Sequence, residues 1–265
     1  MPSGDDWESH WQAYGASAEF NPAQAFRRQL IVEIIRKQGG SAPRIIDIGS
    51  GQGDLARDLR AALPASSIFG VELSAAGVQL ARIKVPEARF LQFDLLGRDG
   101  PPDEYKHWAT VAVCSEVLEH LDDPVALLCG AREFLAPGCL LVVTVPGGPM
   151  SAFDRHIGHR RHYPPQELGG LLQAAGFQVE FAAGAGFPSF NLYRLATLLR
   201  GRHLVERAKV ASVERLSPHE RAVLRFFQML FRFHRANGTW GWQTIVTARL
   251  RTDVRRPPDR IAKGL

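Results

Sequence analysis

Cysteine is scarce. The 265-residue chain has three, Cys114, Cys129 and Cys139, each in an apolar stretch and none forming a Cys-x-x-Cys pair. An odd count placed in this way predicts buried, reduced thiols and excludes a disulfide framework or a thiolate zinc site. Long hydrophobic runs are also missing. Cys139 to Val143 is typical, far short of the ~20 residues that a membrane-spanning helix needs. The opening residues, Met1-Pro2-Ser3-Gly4-Asp5-Asp6, are acidic and have no apolar signal core, so the expected location is the cytoplasm. There is no repeat at a solenoid period and no low-complexity tract. With 45% hydrophobic and 22% charged residues, the chain is neither disordered, collagen-like nor a coiled coil.

The charge is unevenly spread. Residues 187–265 carry 16 Lys+Arg against 5 Asp+Glu, whereas residues 1–186 carry 16 against 22. A basic C-terminal third can attract nucleic acid, anionic lipid or an acidic small substrate, or can simply be a solvated helical face.

Periodicity gives the organisation. Trp7, Trp11 and Tyr14 precede a helical run, Pro22 to Lys37, whose Phe26, Leu30, Ile34 and Ile35 recur at helical spacing. Gly39-Gly40 ends it. Short apolar strands are expected at Arg44–Ile48, Ser67–Glu72, Arg89–Phe93, Thr110–Ser115 and Leu140–Val145. Helices alternate with them at Leu55–Leu63, from the Ser74 cap to about Lys84, and at Pro124–Leu135. A loop is expected over 97–107 and a turn at Pro137-Gly138. Such alternation predicts an α/β protein with a parallel sheet covered on both faces. After a loop over 146–163 come a helix at Pro165–Ala175, a strand at Phe177–Ala182, and a last strand, Gln243–Leu250, at or near an edge.

Residues 187–242 read as a helical insertion. Ser217-Pro218-His219-Glu220 forms a capping box. The helix after it sets Arg221, Arg225, Gln228, Arg232 and Arg235 on one stripe and apolar side chains around the rest. So wide an apolar face must be covered, by the core, a substrate, a second copy of the chain or a membrane surface. The expected division is 1–186, catalytic core with an N-terminal lid; 187–242, substrate cap or dimer contact; and 243–265, last core strand and basic tail.

The chemistry centres on Asp47-Ile48-Gly49-Ser50-Gly51-Gln52-Gly53-Asp54, where the first strand turns into a helix. Ligands of open parallel sheets bind at such strand ends. A dinucleotide loop reads Gly-x-Gly-x-x-Gly, and here Asp54 stands where its third glycine belongs. A carboxylate at that helix start opposes a pyrophosphate. The expected ligand therefore lacks phosphate, and S-adenosylmethionine fits. Glu72, ending the second strand, can accept both ribose hydroxyls. Asp94, ending the third, can accept from an adenine amine.

These segments, together with Val71-Glu72-Leu73-Ser74, Phe93-Asp94 and Ser115-Glu116-Val117-Leu118-Glu119-His120, closely resemble class I S-adenosylmethionine-dependent methyltransferases. Within that family the likeness is to the small-molecule group that includes the ubiquinone-pathway enzymes. It covers roughly residues 20–185 and returns at the final strand. The resemblance implies a Rossmann-like, seven-stranded, mostly parallel sheet with its last strand antiparallel. It implies that Gly49, Gly51 and Gly53 line the methionine part, Glu72 holds the ribose, and Leu73, Asp94 and Leu95 surround the adenine. Ser115 and Glu116 would lie below the cofactor. With Asp47, Ser50 and His120 these make up the candidate cofactor set. Trp7, Trp11 and Tyr14 are candidate lid residues by the same likeness.

The loop after the fifth strand, 149–163, carries three histidines and three arginines. Histidine is best poised for proton transfer near neutral pH, so His156, His159 and Tyr163 are the candidate catalytic residues. Glu119 and His120 are further candidates for that role. His-x-x-His-x-x-His also suggests a metal, but the flanking Arg155, Arg160 and Arg161 repel a cation, and no metal is expected. Those arginines could instead clamp an acidic substrate. The expected activity is methylation of a small, largely apolar molecule at O, N or C. Gly184–Phe190, Asn191 and Tyr193 would form the mouth, and Trp240-Gly-Trp242 would close the insertion. A lipid-linked or membrane-surface substrate and a homodimer remain open. Nucleic acid is disfavoured, because the fourth strand ends in Ser-Glu-Val-Leu-Glu-His and not in an Asn-Pro-Pro-aromatic motif.

Overall fold

The computed structural model describes residues 7, 8, 11, 21–97, 99–196, 198–199, 226–227, 229–231, 238 and 240–252. Helix α1, Pro22–Gln38, starts where the Asn21 side chain accepts from the Ala23 N–H at 2.9 Å and ends at Gly39. Its buried face carries Phe26, Leu30, Ile31 and Ile35. Then follow β1 (Arg44–Ile48), α2 (Asp54–Ala62), β2 (Ser67–Glu72), α3 (Ala75–Lys84) and β3 (Arg89–Gln92). Ser74 caps α3 by accepting from the Gly77 N–H at 3.2 Å. The second half holds β4 (Ala109–Ser115), α4 (Pro124–Ala131), β5 (Leu135–Pro146), α5 (Ala152–His156), α6 (Pro165–Ala174), β6 (Phe177–Ala185) and β7 (Gln243–Leu250).

The seven strands form one sheet in the order β3-β2-β1-β4-β5-β7-β6, with β7 antiparallel to both neighbours. This is the expected Rossmann-like α/β architecture. Two apolar layers cover it. One joins α1, α2 and α3 to the sheet through Ile31, Ile35, Leu59 and Val78. The other joins α4 and α6 through Leu127, Leu128, Leu168 and Leu172. Strand β7 lies one position in from the edge and is buried along nearly its whole length, while β6 forms the edge.

Several boundaries differ from expectation: β6 runs three residues further, to Ala185, β3 ends at Gln92, and the region before β5 is rearranged. The helix expected to reach Leu135 stops at Ala131, and a 3-10 turn over 132–134 leads into β5. Leu135 pairs with Ala109, and the ladder then shifts register before Val111 meets Leu140. Pro137-Gly138 is thus an irregularity inside a long strand, with Gly138 at φ +73°, and not the turn before it. The expected 97–107 loop holds a 3-10 turn whose Tyr105 stacks on Phe69 with centroids 3.8 Å apart.

In the insertion, 189–196 is helical, and so are 226–227 and 229–231. Phe231 and Phe190 bury against Phe26 of α1, with centroids 5.4 and 5.3 Å from its ring. The Ser217–Glu220 capping box, the arginine stripe, Tyr14 and the tail beyond residue 252 lie outside the described residues. Among the described residues no helix is long and apolar enough to cross a membrane.

Candidate active site

The carboxyl ends of β1, β4 and β5 open into a cavity of about 460 Å³. The loop after β1 forms its floor. Gly49 and Gly51 adopt φ of +72° and +51°, and a Cβ on Gly49 would meet Val117 Cγ2 at 2.5 Å. Only glycine turns the chain there without strain. The Gly49 and Ser50 N–H groups both donate to the Val71 carbonyl, tying the loop to β2. Glu72, at the end of β2, accepts from the Gly51 N–H at 2.9 Å and the Ser74 N–H at 3.0 Å.

Of the expected cofactor residues, Asp47, Gly49, Ser50, Gly51, Ser115, Glu116 and His120 line this cavity. Glu72, Leu73, Asp94 and Leu95 do not. Trp11 rests against Gly51 and Gly77, with its indole beside the Glu72 side chain. Asp94 accepts from the Leu96 N–H at 2.8 Å, and Leu73 is exposed. Gly53 is no lining residue. It is the left-handed N-cap of α2, and a Cβ there would come within 3.0 Å of Ala81 on α3. Helix packing therefore accounts for its being glycine.

The loop after β5 sorts its candidates. The capping box of α5 fixes the chain: Ser151 Oγ accepts from the Asp154 N–H at 3.0 Å, and Asp154 Oδ2 accepts from the Ser151 N–H at 2.7 Å. His159 lines the cavity, whereas His156 is exposed and does not. Tyr163 corrects the expectation: it is buried in the α4/α6 core layer, its backbone held by Pro146 and Thr244. Burial pushes its hydroxyl pKa up. The loop arginines are no clamp for this cavity. Arg160 pairs with Asp122, Arg161 pairs with Glu167, and Arg155 is exposed.

Several residues without a sequence signal complete the site. Arg27 of α1 lies 3.4 Å from Glu116 Oε2, and Gln243 of β7 donates to Glu116 Oε1 at 2.9 Å. Glu116 itself has φ +57°, a left-handed turn that swings it off β4. Arg194, from the insertion, grips both carboxylate oxygens of Asp154, at 3.2 and 2.8 Å. Glu8 accepts from Ser74 Oγ at 2.7 Å and the Ala76 N–H at 3.0 Å, placing a carboxylate at the start of α3.

The electrostatics follow burial. Desolvation, aided by Glu72, pushes the Asp47 pKa up to about 7. Burial also raises Glu116, against the pull of Arg27, and raises Glu119 well above its ordinary value, with Glu116 adding to it. Asp154 is the contrary case: burial pushes it up, but Arg194 and Ser151 outweigh that and hold it at about 2. Burial and the neighbouring His120 push His159 down to about 3, so its imidazole is neutral. Glu119, His120 and His159 offer ligand atoms within 4.8 Å of one another, and so do Asp154, His159 and His162. In the second trio Asp154 is already taken by the Arg194 guanidinium.

The cavity suits a cationic, phosphate-free nucleoside. Asp47 Oδ2 and Ser50 Oγ are buried beside the glycine loop with no hydrogen-bond partner. A positive ligand offering N–H donors would satisfy both groups and offset the cost of ionising Asp47. Of S-adenosylmethionine, the amino-acid head and sulfonium would meet these two groups, while Glu72, expected to hold the ribose, stands outside the cavity with its oxygens on the Gly51 and Ser74 amides. Bound there, the cofactor supplies an activated methyl group.

Fold and site together define a methyltransferase. Residues 23–181 match the family model described as a methyltransferase domain, and the chain belongs to that family. It is an S-adenosylmethionine-dependent small-molecule methyltransferase. The chain is 26% identical over 220 residues to the ubiquinone biosynthesis O-methyltransferase of Aeromonas salmonicida, covering 75% of this chain and 89% of that one. Among solved structures it resembles the [4+2]-cyclase SpnF, with a TM-score of 0.62, 18% identity, and coverage of 95% and 97% of the two chains. It also resembles phosphoethanolamine N-methyltransferase 2 of Haemonchus contortus in complex with S-adenosyl-L-methionine, with a TM-score of 0.52, 18% identity, and coverage of 83% and 52%. One of these similar folds belongs to a cyclase, so the fold alone does not name the reaction.

Proposed function

We propose that the methyl acceptor is a small, largely apolar molecule bearing a hydroxyl, and that His159 takes its proton. The observation that carries this reading is a neutral imidazole facing the same cavity as Phe153, Ile157, Phe190 and Trp242. The charged groups there largely cancel. Arg27, Arg28 and Arg194 line the cavity, and each pairs with a carboxylate, of Glu116, Asp58 and Asp154 respectively. That leaves little to hold an acidic acceptor. The relative from Aeromonas salmonicida is named as an O-methyltransferase, which favours oxygen over nitrogen or carbon.

In this reading the protein orients the acceptor oxygen in line with the methyl group and keeps water out, effects worth roughly 7–11 kcal/mol. Residues 187–242 act as the substrate cap. Asn191 ties its two ends, donating to the Trp240 carbonyl at 2.7 Å and accepting from the Trp242 N–H at 2.9 Å. The test is transfer of radiolabelled methyl to matched phenols, amines and carbon acids. Label on phenolic oxygen is expected, with His159→Gln lowering kcat by about 10²- to 10⁴-fold. Label only on nitrogen or carbon, or an unchanged kcat, would overturn it.

A second reading, an acceptor presented at a lipid surface, is favoured by a run of exposed apolar side chains: Phe187, Leu192, Leu195, Leu199 and Trp240. Flotation with anionic vesicles tests it, and failure to float removes it.

A further inference from the structure

Behind His159 stands a second imidazole that the chemistry above does not use. His162 Nδ1 lies 2.7 Å from the Gly148 carbonyl oxygen, and His162 Nε2 lies 3.1 Å from His159 Nδ1. A carbonyl can only accept, so His162 Nδ1 carries hydrogen. In a neutral His162, Nε2 is then bare and must accept. The hydrogen between the two rings therefore belongs to His159 Nδ1. A neutral imidazole has one hydrogen, so His159 Nε2 keeps its lone pair. That atom has no hydrogen-bond partner among the described residues, and His159 lines the cavity.

We infer that His162 is a positioning residue that fixes His159 in its proton-accepting tautomer and then receives the proton from it. This rests on the reading of His159 as the group that deprotonates the acceptor. In the step, the acceptor O–H bond breaks, its electron pair stays on oxygen, and a bond forms from hydrogen to His159 Nε2. The His159 Nδ1–H bond breaks as an N–H bond forms at His162 Nε2. His159 ends neutral in the opposite tautomer, and the charge rests on His162. The structure has a place for that charge: the Gly148 carbonyl on one nitrogen and the Asp154 carboxylate 4.0 Å from the other.

The surroundings decide which ring holds the charge. Burial disfavours a cation on either ring and the Asp154 carboxylate favours one on either, while His120, His162 and Arg194 further oppose one on His159. At His162 the Gly148 carbonyl and Asp154 favour the cation, while Arg194 and Arg155 oppose it. The relay places the cation on the ring bonded to the carbonyl and keeps it off the ring that lines the cavity and faces His120.

Histidine-selective ¹⁵N and ¹³C NMR on the full chain with bound S-adenosylhomocysteine tests this without an acceptor. At neutral pH, His159 is expected as the Nδ1–H tautomer. On acidification, His162 should become imidazolium as His159 switches to Nε2–H. His162→Leu, with its fold checked by melting and by S-adenosylhomocysteine affinity, should show Nε2–H at His159 already at neutral pH. His162→Gln retains an acceptor and should restore Nδ1–H. An Nε2–H signal for His159 in the wild type at neutral pH overturns the inference. So does an Nδ1–H signal that survives His162→Leu, or a first proton that settles on His159. If His162→Leu does not fold, the wild-type and His162→Gln spectra still decide. An unchanged kcat in His159→Gln would fell the deprotonation reading and leave the tautomer result standing.

Discussion

Asp47 should make cofactor affinity depend on pH. Its carboxyl is buried at the end of β1, has one oxygen without a partner and titrates near 7 instead of its ordinary 3.8. A rise of that size means that ionising the group costs about 4 kcal/mol more than it would in water. A bound cation supplies the missing partner, so it binds the ionised form and lowers the group's pKa. Affinity is therefore full above pH ~7 and falls as pH drops through that value, by up to tenfold for each pH unit. Between about pH 7.5 and 5.5 the affinity for S-adenosylhomocysteine, whose ammonium stays charged throughout, should fall roughly 25-fold. Titration calorimetry in two buffers of different ionisation enthalpy should detect close to one proton released per site at pH ~6. Asp47→Asn should bind more weakly at neutral pH and lose the slope. A wild-type affinity that varies less than about threefold over that range would contradict this account. So would a slope that persists in Asp47→Asn, which would transfer it to Glu72.

Four further outcomes are expected. Gly49→Ala forces a side chain into a left-handed turn at φ +72° and against Val117, so it should cost at least about 1–2 kcal/mol in urea unfolding and abolish cofactor binding; wild-type affinity would contradict the role given to the loop. Arg194→Met removes the partner that holds Asp154 at about 2, a contribution of about 2 kcal/mol that is present above pH ~4 and disappears as pH falls through 2. The stability gap between wild type and variant should therefore be wide at pH 6 and nearly closed at pH ~2, and a constant gap would count against it. Phe26→Ala opens a void between α1, Phe190 and Phe231 and should lose about 3–5 kcal/mol in chemical denaturation, with activity reduced as Tyr193 and Arg194 lose support; a loss below ~1 kcal/mol would mean the insertion does not rely on that cluster. Trp11→Ala clears the indole from beside the Glu72 side chain and should tighten S-adenosylhomocysteine binding, whereas weaker binding would make Trp11 a lid over the ligand and not its competitor.

Local chemistry made much of this protein legible. The strand–glycine loop–helix at Asp47–Asp54 and the buried strands are written in neighbouring residues, because backbone conformation and burial on two faces are local demands. The nature of the ligand was legible too, since Asp54 at a helix start argues against phosphate without any fold. The 149–163 loop was less tractable. Its histidines and Tyr163 looked alike in sequence, yet His159 lines the cavity, His156 faces solvent and Tyr163 packs in the core. Their side-chain directions depend on how α5 is capped and where β7 lies, which no short window contains.

The pairing of charges, by contrast, belongs to long-range packing. Arg194 reaches Asp154 across 40 residues, and Gln243 reaches Glu116 across 127. Those partners meet because the insertion folds back onto α1 and β7 slots between β5 and β6. An isolated arginine or glutamine has no periodicity that reveals its partner, whereas a glycine turn or an apolar strand declares itself from its neighbours alone. The kind of ligand and the end of the sheet that holds it are thus properties of short segments. Which charges are cancelled, and which imidazole faces the reacting atoms, depends on elements that meet only once the chain has folded.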